Sequence, residues 1–144
     1  MKLTWRWFGD GDTVSLQQIK QIPVIEGIVG TLEGKQDNEV WTLDDFESLK
    51  QKVTSQGVSL DVIESIPVAE AIKKGLPERD AIIDMYCESI RNMGRAGIPV
   101  LCYNFMPVFD WMRTNLKYTL PDGSFLTEYQ HQEMLDYDLS QCFE

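Results

Sequence analysis

One histidine and three cysteines are present in 144 residues. Cys87, Cys102 and Cys142 form no CxxC pair and leave an odd count, which argues against a disulfide framework and for a reducing compartment. Neither HxxxH nor CxxC spacing occurs to seed a transition-metal site, and neither GxGxxG nor GxxxxGK[ST] occurs to cradle a phosphate. Long apolar runs are missing too: no stretch approaches the roughly 18 uncharged apolar residues of a membrane helix. The N-terminus, Met1 to Asp10, has neither a secretory apolar run nor a small-residue cleavage site, so the cytoplasm is the expected location. Positive charge is scarce, with 13 Lys and Arg against 23 Asp and Glu for a net charge of −10. Without a basic cluster, nucleic acid is a poor partner.

Apolar residues make up 43% of the chain, including four Trp, five Tyr and six Phe, which is enough to bury a core and rules out a disordered acidic tail. Strand-like stretches alternate with stretches of helical period. Leu3 to Phe8 is aromatic-rich and ends at the turn Gly9-Asp10-Gly11-Asp12, which predicts a first strand. Ser15 and Gln18 form a capping box for a short helix with Leu16, Ile19 and Ile22 on one face, stopped by Pro23. Gly27 to Leu32 predicts a second strand. Thr42 and Asp45 cap a second helix with Leu43, Phe46, Leu49 and Val53 as its apolar stripe, and Gly57 ends it. Val58 to Glu64 is the third strand. A loop through Pro67 precedes a long helix from about Arg79, with Ile82, Ile83, Tyr86, Ile90 and Met93 expected on its buried face. Val100 to Phe105 is the fourth strand.

Strands alternating with helices across short polar turns predict consecutive βαβ units and a parallel sheet. Right-handed crossovers in a simply sequential strand order put the helices on one face, and such a sheet curls toward a barrel. A closed eight-stranded barrel takes about 200 to 250 residues, so this length fits about half of one. Beyond the fourth strand, Leu120 to Ser124 is a strong turn signal and Thr127 to Leu139 a weak helix candidate. The expectation is a single domain over 1–144, with 127–144 poorly ordered.

Ligands of parallel α/β sheets sit at the C-terminal ends of the strands, so polar residues late in each strand are the candidates. These are Arg6 and Trp7 in the first, Glu64 in the third and Asn104 in the fourth. Alternation leaves open whether Arg6 or its neighbours Trp5 and Trp7 face inward. Arg6 and Glu64 admit two readings. They form a structural ion pair closing one end of the sheet, or Arg6 holds a substrate carboxylate while Glu64 accepts from hydroxyls. Asn104 is equally a turn residue or a ligand contact. Trp5, Trp7, Tyr103, Phe105, Phe109 and Trp111 suit packing first and a polyol platform second. His131 reads as a solvated surface residue, Cys87 as core and Cys102 as packed mid-strand. Asp44 and Asp45 answer the macrodipole of the second helix. Asp10 and Asp12 read as a turn whose place past a strand end keeps a role at the mouth open.

The segments Leu3-Thr4-Trp5-Arg6-Trp7-Phe8-Gly9, Val62-Ile63-Glu64-Ser65-Ile66-Pro67-Val68, Lys74-Gly75-Leu76-Pro77 with Arg79-Asp80, and Cys102-Tyr103-Asn104-Phe105-Met106-Pro107-Val108-Phe109-Asp110-Trp111 with Arg113-Thr114 resemble the mannonate dehydratase family. The resemblance implies the first four βα units of a (β/α)₈ barrel related to xylose isomerases. It also implies a lyase that removes water from D-mannonate to give 2-keto-3-deoxy-D-gluconate in hexuronate breakdown, with Mn²⁺ or Fe²⁺. The family's His, Cys and Asp ligands come from later strands, and none is carried onto this chain. What carries over is substrate binding by Arg6, Trp7, Glu64 and Asn104, with Arg113 as a further anion-binding candidate.

Two rivals stand beside this reading. One is another sugar-acid isomerase or epimerase on the same barrel, since fold does not fix reaction. The other is an inactive truncated fragment. Four parallel strands without closure leave two edges, through which a homo-oligomer or association with a complementary piece is expected.

Overall fold

Two capping boxes set where the first helices begin. The Ser15 hydroxyl accepts from the Gln18 N–H at 3.2 Å, and the Gln18 side chain accepts from the Ser15 N–H at 2.8 Å. Thr42 and Asp45 repeat the exchange at 3.2 and 2.8 Å. Each box satisfies two of the amides that a helix start leaves without partners. The computed structural model describes residues 1–107 and 112–136. The chain divides into two compact units, Met1–Pro107 and Val108–Glu144.

In the first unit the elements run β1 (Leu3–Arg6), α1 (Leu16–Lys20), β2 (Ile25–Gly30), α2 (Leu43–Thr54), β3 (Ser59–Glu64), α3 (Glu70–Lys74), α4 (Arg79–Arg95) and β4 (Val100–Cys102). The strands form one parallel sheet in the order β1-β2-β3-β4. The predicted strand–helix alternation is therefore an α/β fold with a four-stranded parallel sheet. Strand bounds differ by a few residues. β2 starts at Ile25, directly after a turn through Pro23 and Val24 that the Ile25 N–H closes on the Ile22 carbonyl at 3.1 Å, and β4 stops at Cys102, short of the expected Phe105. The one-turn helix α3 escaped the sequence reading, since five residues carry too little period to register.

One side of the sheet carries the core. Ile19, Ile28, Phe46, Val53 and Ile63 are fully buried and cluster with Trp7, Leu49 and Met93. This side of α2 is the stripe expected from Phe46, Leu49 and Val53. Helix α4 departs from expectation. Its buried residues are Ser89, Asn92 and Met93, whereas Ile83 and Ile90 are exposed. The physical reason is a polar clip. The Ser89 hydroxyl accepts from the Trp41 N–H at 3.0 Å and donates to the Met85 carbonyl at 3.0 Å, and the Asn92 amide donates to the Trp41 carbonyl at 3.0 Å. Both main-chain groups of a fully buried tryptophan are satisfied by α4, and its ring lies 5.7 Å from that of Phe46.

The opposite side of the sheet is polar near the start of the strands. Lys2 Nζ lies 2.8 Å from Asp61 and donates to the Ser59 hydroxyl at 2.6 Å. Between them sits Gly27, and the Asp61 carboxylate occupies the space in which a Cβ at that position would lie.

In the second unit β5 (Asn115–Thr119) and β6 (Phe125–Glu128) pair as an antiparallel hairpin, followed by α5 (His131–Asp136). The expected turn is there. Leu120 N–H donates to the Ser124 carbonyl at 2.9 Å, Gly123 takes φ +84°, and the Asp122 carboxylate accepts from the Ser124 hydroxyl and N–H. Those two bonds, the hydroxyl's first, hold the Asp122 carboxyl below its ordinary value. The strands on either side escaped prediction because almost every residue in them is exposed, so no alternation marks a buried face. The C-terminal part of the predicted 127–139 helix, together with Cys142, Phe109 and Trp111, lies outside the described residues.

Candidate functional site at the strand ends

Arg6 closes β1 and Glu64 closes β3. The register pairs Arg6 with Val29 and Val29 with Val62, and alternation then brings Glu64 to the same side. Arg6 Nε stands 3.6 Å from Glu64 Oε2, and both side chains are partly open to solvent. The open question of which residues face inward is answered here. Trp7 is 4% exposed and packed into the helix-side core, so Arg6 takes the other face. The Trp7 N–H donates to the Val29 carbonyl at 2.9 Å and continues the ladder one residue beyond the strand.

Arg6 is restrained on several sides. Its Nη1 donates to the Trp7 carbonyl at 2.6 Å and reaches the Val29 carbonyl at 3.5 Å, and its Cζ lies 4.3 Å from the centre of the Phe8 ring. The turn after β1 is itself pinned by Asp12. That carboxylate accepts from the Phe8 N–H at 2.8 Å and the Val14 N–H at 2.9 Å, and these bonds, the Phe8 one first, hold its carboxyl below the ordinary range. Phe8 and this use of Asp12 were missed by sequence reasoning. The Gly-Asp-Gly-Asp turn was legible, but nothing in it says which amides the carboxylate will find.

The remaining candidates separate. The register sets Cys102 beside Glu64, and Asn104 follows two residues later, exposed. Cys102 is exposed rather than packed, because β4 has only three residues and Cys102 is the last of them. The Trp7 side chain is buried. Its ring helps wall a cleft of about 270 Å³ between the β1 turn and α2, which also includes Asp10, Glu33 and Lys52. Asp10 is paired with Lys52 at 2.6 Å. Arg113 belongs to the second unit, where it donates to the Thr127 hydroxyl at 3.1 Å and the Met112 carbonyl at 2.7 Å. His131 is exposed at the start of α5, its Nδ1 3.0 Å from the Tyr129 hydroxyl.

The arrangement on the open face offers a fixed guanidinium for a carboxylate and a neighbouring carboxylate for hydroxyl donors. Among the described residues, no three His, Cys, Asp or Glu side chains lie close enough to hold a metal ion. By themselves the described residues make no site for the divalent ion that the resemblance implies.

A family model described as D-mannonate dehydratase (UxuA) matches residues 1–144. The chain belongs to the mannonate dehydratase family. Among curated relatives, the mannonate dehydratase of Thermotoga neapolitana is 56% identical over 132 residues, covering 91% of this chain and 37% of that protein. The mannonate dehydratase of Geobacillus thermodenitrificans is 51% identical over 139 residues, covering 96% and 38%. The crystal structure of mannonate dehydratase from Streptococcus suis serotype 2 superposes with a TM-score of 0.91 at 48% identity, covering 98% of this chain and 40% of that one. The chain thus spans well under half the length of the mannonate dehydratases it matches. No helix among the described residues is long and apolar enough to cross a membrane.

Proposed function

We propose that this chain is the N-terminal βα portion of a mannonate dehydratase and builds one side of its sugar-acid site. The observation that carries this reading is the family match along all 144 residues. The whole enzyme takes a proton from C2 and the hydroxyl from C3 of D-mannonate; the resulting enol becomes 2-keto-3-deoxy-D-gluconate and one water leaves. In that reaction Arg6 binds and orients the substrate carboxylate, and Glu64 and Asn104 accept from or donate to its hydroxyls; the resemblance makes Arg113, in the second unit, a further anion-binding candidate. Local cations matter because a chain of net charge −10 repels an anionic substrate overall. The resemblance assigns the ligands of any Mn²⁺ or Fe²⁺ in the whole enzyme to later strands of the barrel. On this reading the protein works in the cytoplasm, as an enzyme of sugar-acid breakdown would.

The sheet, on this proposal, is the first half of a (β/α)₈ barrel. Sequential strand order and a core on one side only support it. So does an apolar groove of about 360 Å³ beside β4, walled by Ile72, Ile83, Tyr86, Ile90, Leu101 and Phe105. The Tyr86 hydroxyl there is buried without a partner among the described residues. Such a groove and two strand edges suit association with a complementary βα segment or a second copy.

Complementation tests the function. The chain is mixed with the part of the Streptococcus suis enzyme that it does not match, Mn²⁺ is added, and 2-keto-3-deoxy-D-gluconate formation is followed. Turnover is expected. The reading falls if none appears while the Streptococcus suis enzyme's own N-terminal part restores activity to the same piece.

A further inference from the structure

Phe8 is 61% exposed. A ring so placed gains little from burial, and its value lies in what it touches. The Arg6 guanidinium carbon lies over it, 4.3 Å from the ring centre. Its backbone is fixed from behind, because Asp12 takes the Phe8 N–H at 2.8 Å and the Asp12 N–H donates to the Gly9 carbonyl at 3.1 Å. Gly9 permits this tight turn at φ +93°. The guanidinium is therefore gripped on one face by a ring and along two positions of its edge by the Trp7 carbonyl and the Glu64 carboxylate. Those contacts use Nη1 and Nε, and none of the described contacts uses Nη2.

We infer that Phe8 is a positioning residue for carboxylate recognition: its ring holds the Arg6 guanidinium in place, so that its remaining N–H groups are presented to the acid group of the substrate. An unrestrained arginine samples many rotamers, and binding must freeze them. A stem already restrained by a ring and a carbonyl loses less on binding. The ring face also favours the cation directly. The consequence is selectivity for sugar acids over neutral polyols of the same shape. This rests on Arg6 being the carboxylate-binding group.

The test is a titration of the ¹⁵N-labelled 144-residue chain, followed by NMR, with D-mannonate and with neutral D-mannitol. The parent is expected to bind the acid more tightly, with the Arg6 Nε–H signal moving. Phe8→Ala is expected to weaken D-mannonate binding about threefold to fivefold, the range of one cation–π contact, and to leave D-mannitol unchanged. Phe8→Leu, which keeps apolar bulk without a ring face, should match Phe8→Ala, and Phe8→Tyr should restore parent affinity. Dispersed amide spectra establish that each variant is folded, and if Phe8→Ala is not, the Leu and Tyr variants decide. The inference is overturned if Phe8→Leu binds D-mannonate like the parent, or if both ligands weaken equally. In that event a weakened Arg6→Gln variant leaves the carboxylate reading standing. If Arg6→Gln also binds like the parent, or the parent does not distinguish acid from polyol, the reading of Arg6 fails and the role of Phe8 with it.

Discussion

The two faces of the four-stranded sheet are built on opposite principles. Toward the helices, Ile28, Ile63 and Phe46 have no exposed surface, and the polar groups there, Ser89 and Asn92, are fully engaged with the Trp41 main chain. On the other face, Lys2, Asp61, Arg6 and Glu64 pair across strands while still partly solvated. The first face converts burial into stability; the second leaves charges near water, where pairs contribute little to stability and can be redirected to a ligand. A scaffold and a binding surface thus share the same six-residue strand, with Ile63 serving one and Glu64 the other.

Substitutions can break or sharpen that contrast. Phe46→Ala, on the scaffold face, is expected to cost about 3–5 kcal/mol in urea unfolding. A loss under ~1 kcal/mol would mean the core is not organised around that ring. Asn92→Ala removes the donor to the buried Trp41 carbonyl and is expected to cost about 1–3 kcal/mol, again by urea midpoint. Thr42→Ala, at the start of α2, should cost about 1 kcal/mol.

The same cap carries a pH signature. Burial raises the Asp45 carboxyl, but the Lys35 ammonium at 2.8 Å and the Thr42 N–H and hydroxyl outweigh it, and the net result is below the ordinary value of 3.8. A carboxyl depressed in the folded state stabilises it above the unfolded value, and that contribution is lost as pH falls through the folded one. Parent stability should therefore drop on acidification below about pH 4, the ordinary carboxylate range, and Asp45→Asn should lack that part of the drop. Equal acid sensitivity in the two proteins would show that this ion pair contributes nothing.

The smallest expected effect on stability lies on the open face. Glu64→Gln should change the unfolding free energy by no more than ~0.5 kcal/mol, because the Arg6 contact is long and half-solvated. The same change, like Asn104→Ala, should raise KM or lower kcat in the complemented enzyme. A Glu64→Gln protein that unfolds early but turns over normally would reverse the assignment of the two faces.

What could be foreseen from the chain follows this division. Period and caps revealed α1, α2 and the alternation of strands with helices, because the scaffold face is apolar at regular intervals and its helix starts use short-range hydrogen bonds. The Arg6–Glu64 pairing was foreseen from strand-end position. Helix α4 misled because its buried side is set by a polar clip 48 and 51 residues distant in sequence, and hydrophobic period cannot anticipate that. Ile83 and Ile90 look like core by spacing, yet they line an open groove. Trp7 was counted with the strand-end polar residues, although its odd parity with Trp5 sends it to the helix side. The hairpin was hidden because its strands have no buried face to mark. Phe8 gave no signal beyond aromaticity, since its role depends on a turn whose hydrogen bonds are invisible in one dimension.

Gly27 and Asp61 lie far apart in sequence, yet the carboxylate fills the volume that any larger residue at 27 would claim, while tethering Lys2 and Ser59. The two positions therefore share one volume. A side chain gained at 27 makes the Asp61 carboxylate swing aside, and the bridge it makes to Lys2 and Ser59 across β2 is then broken.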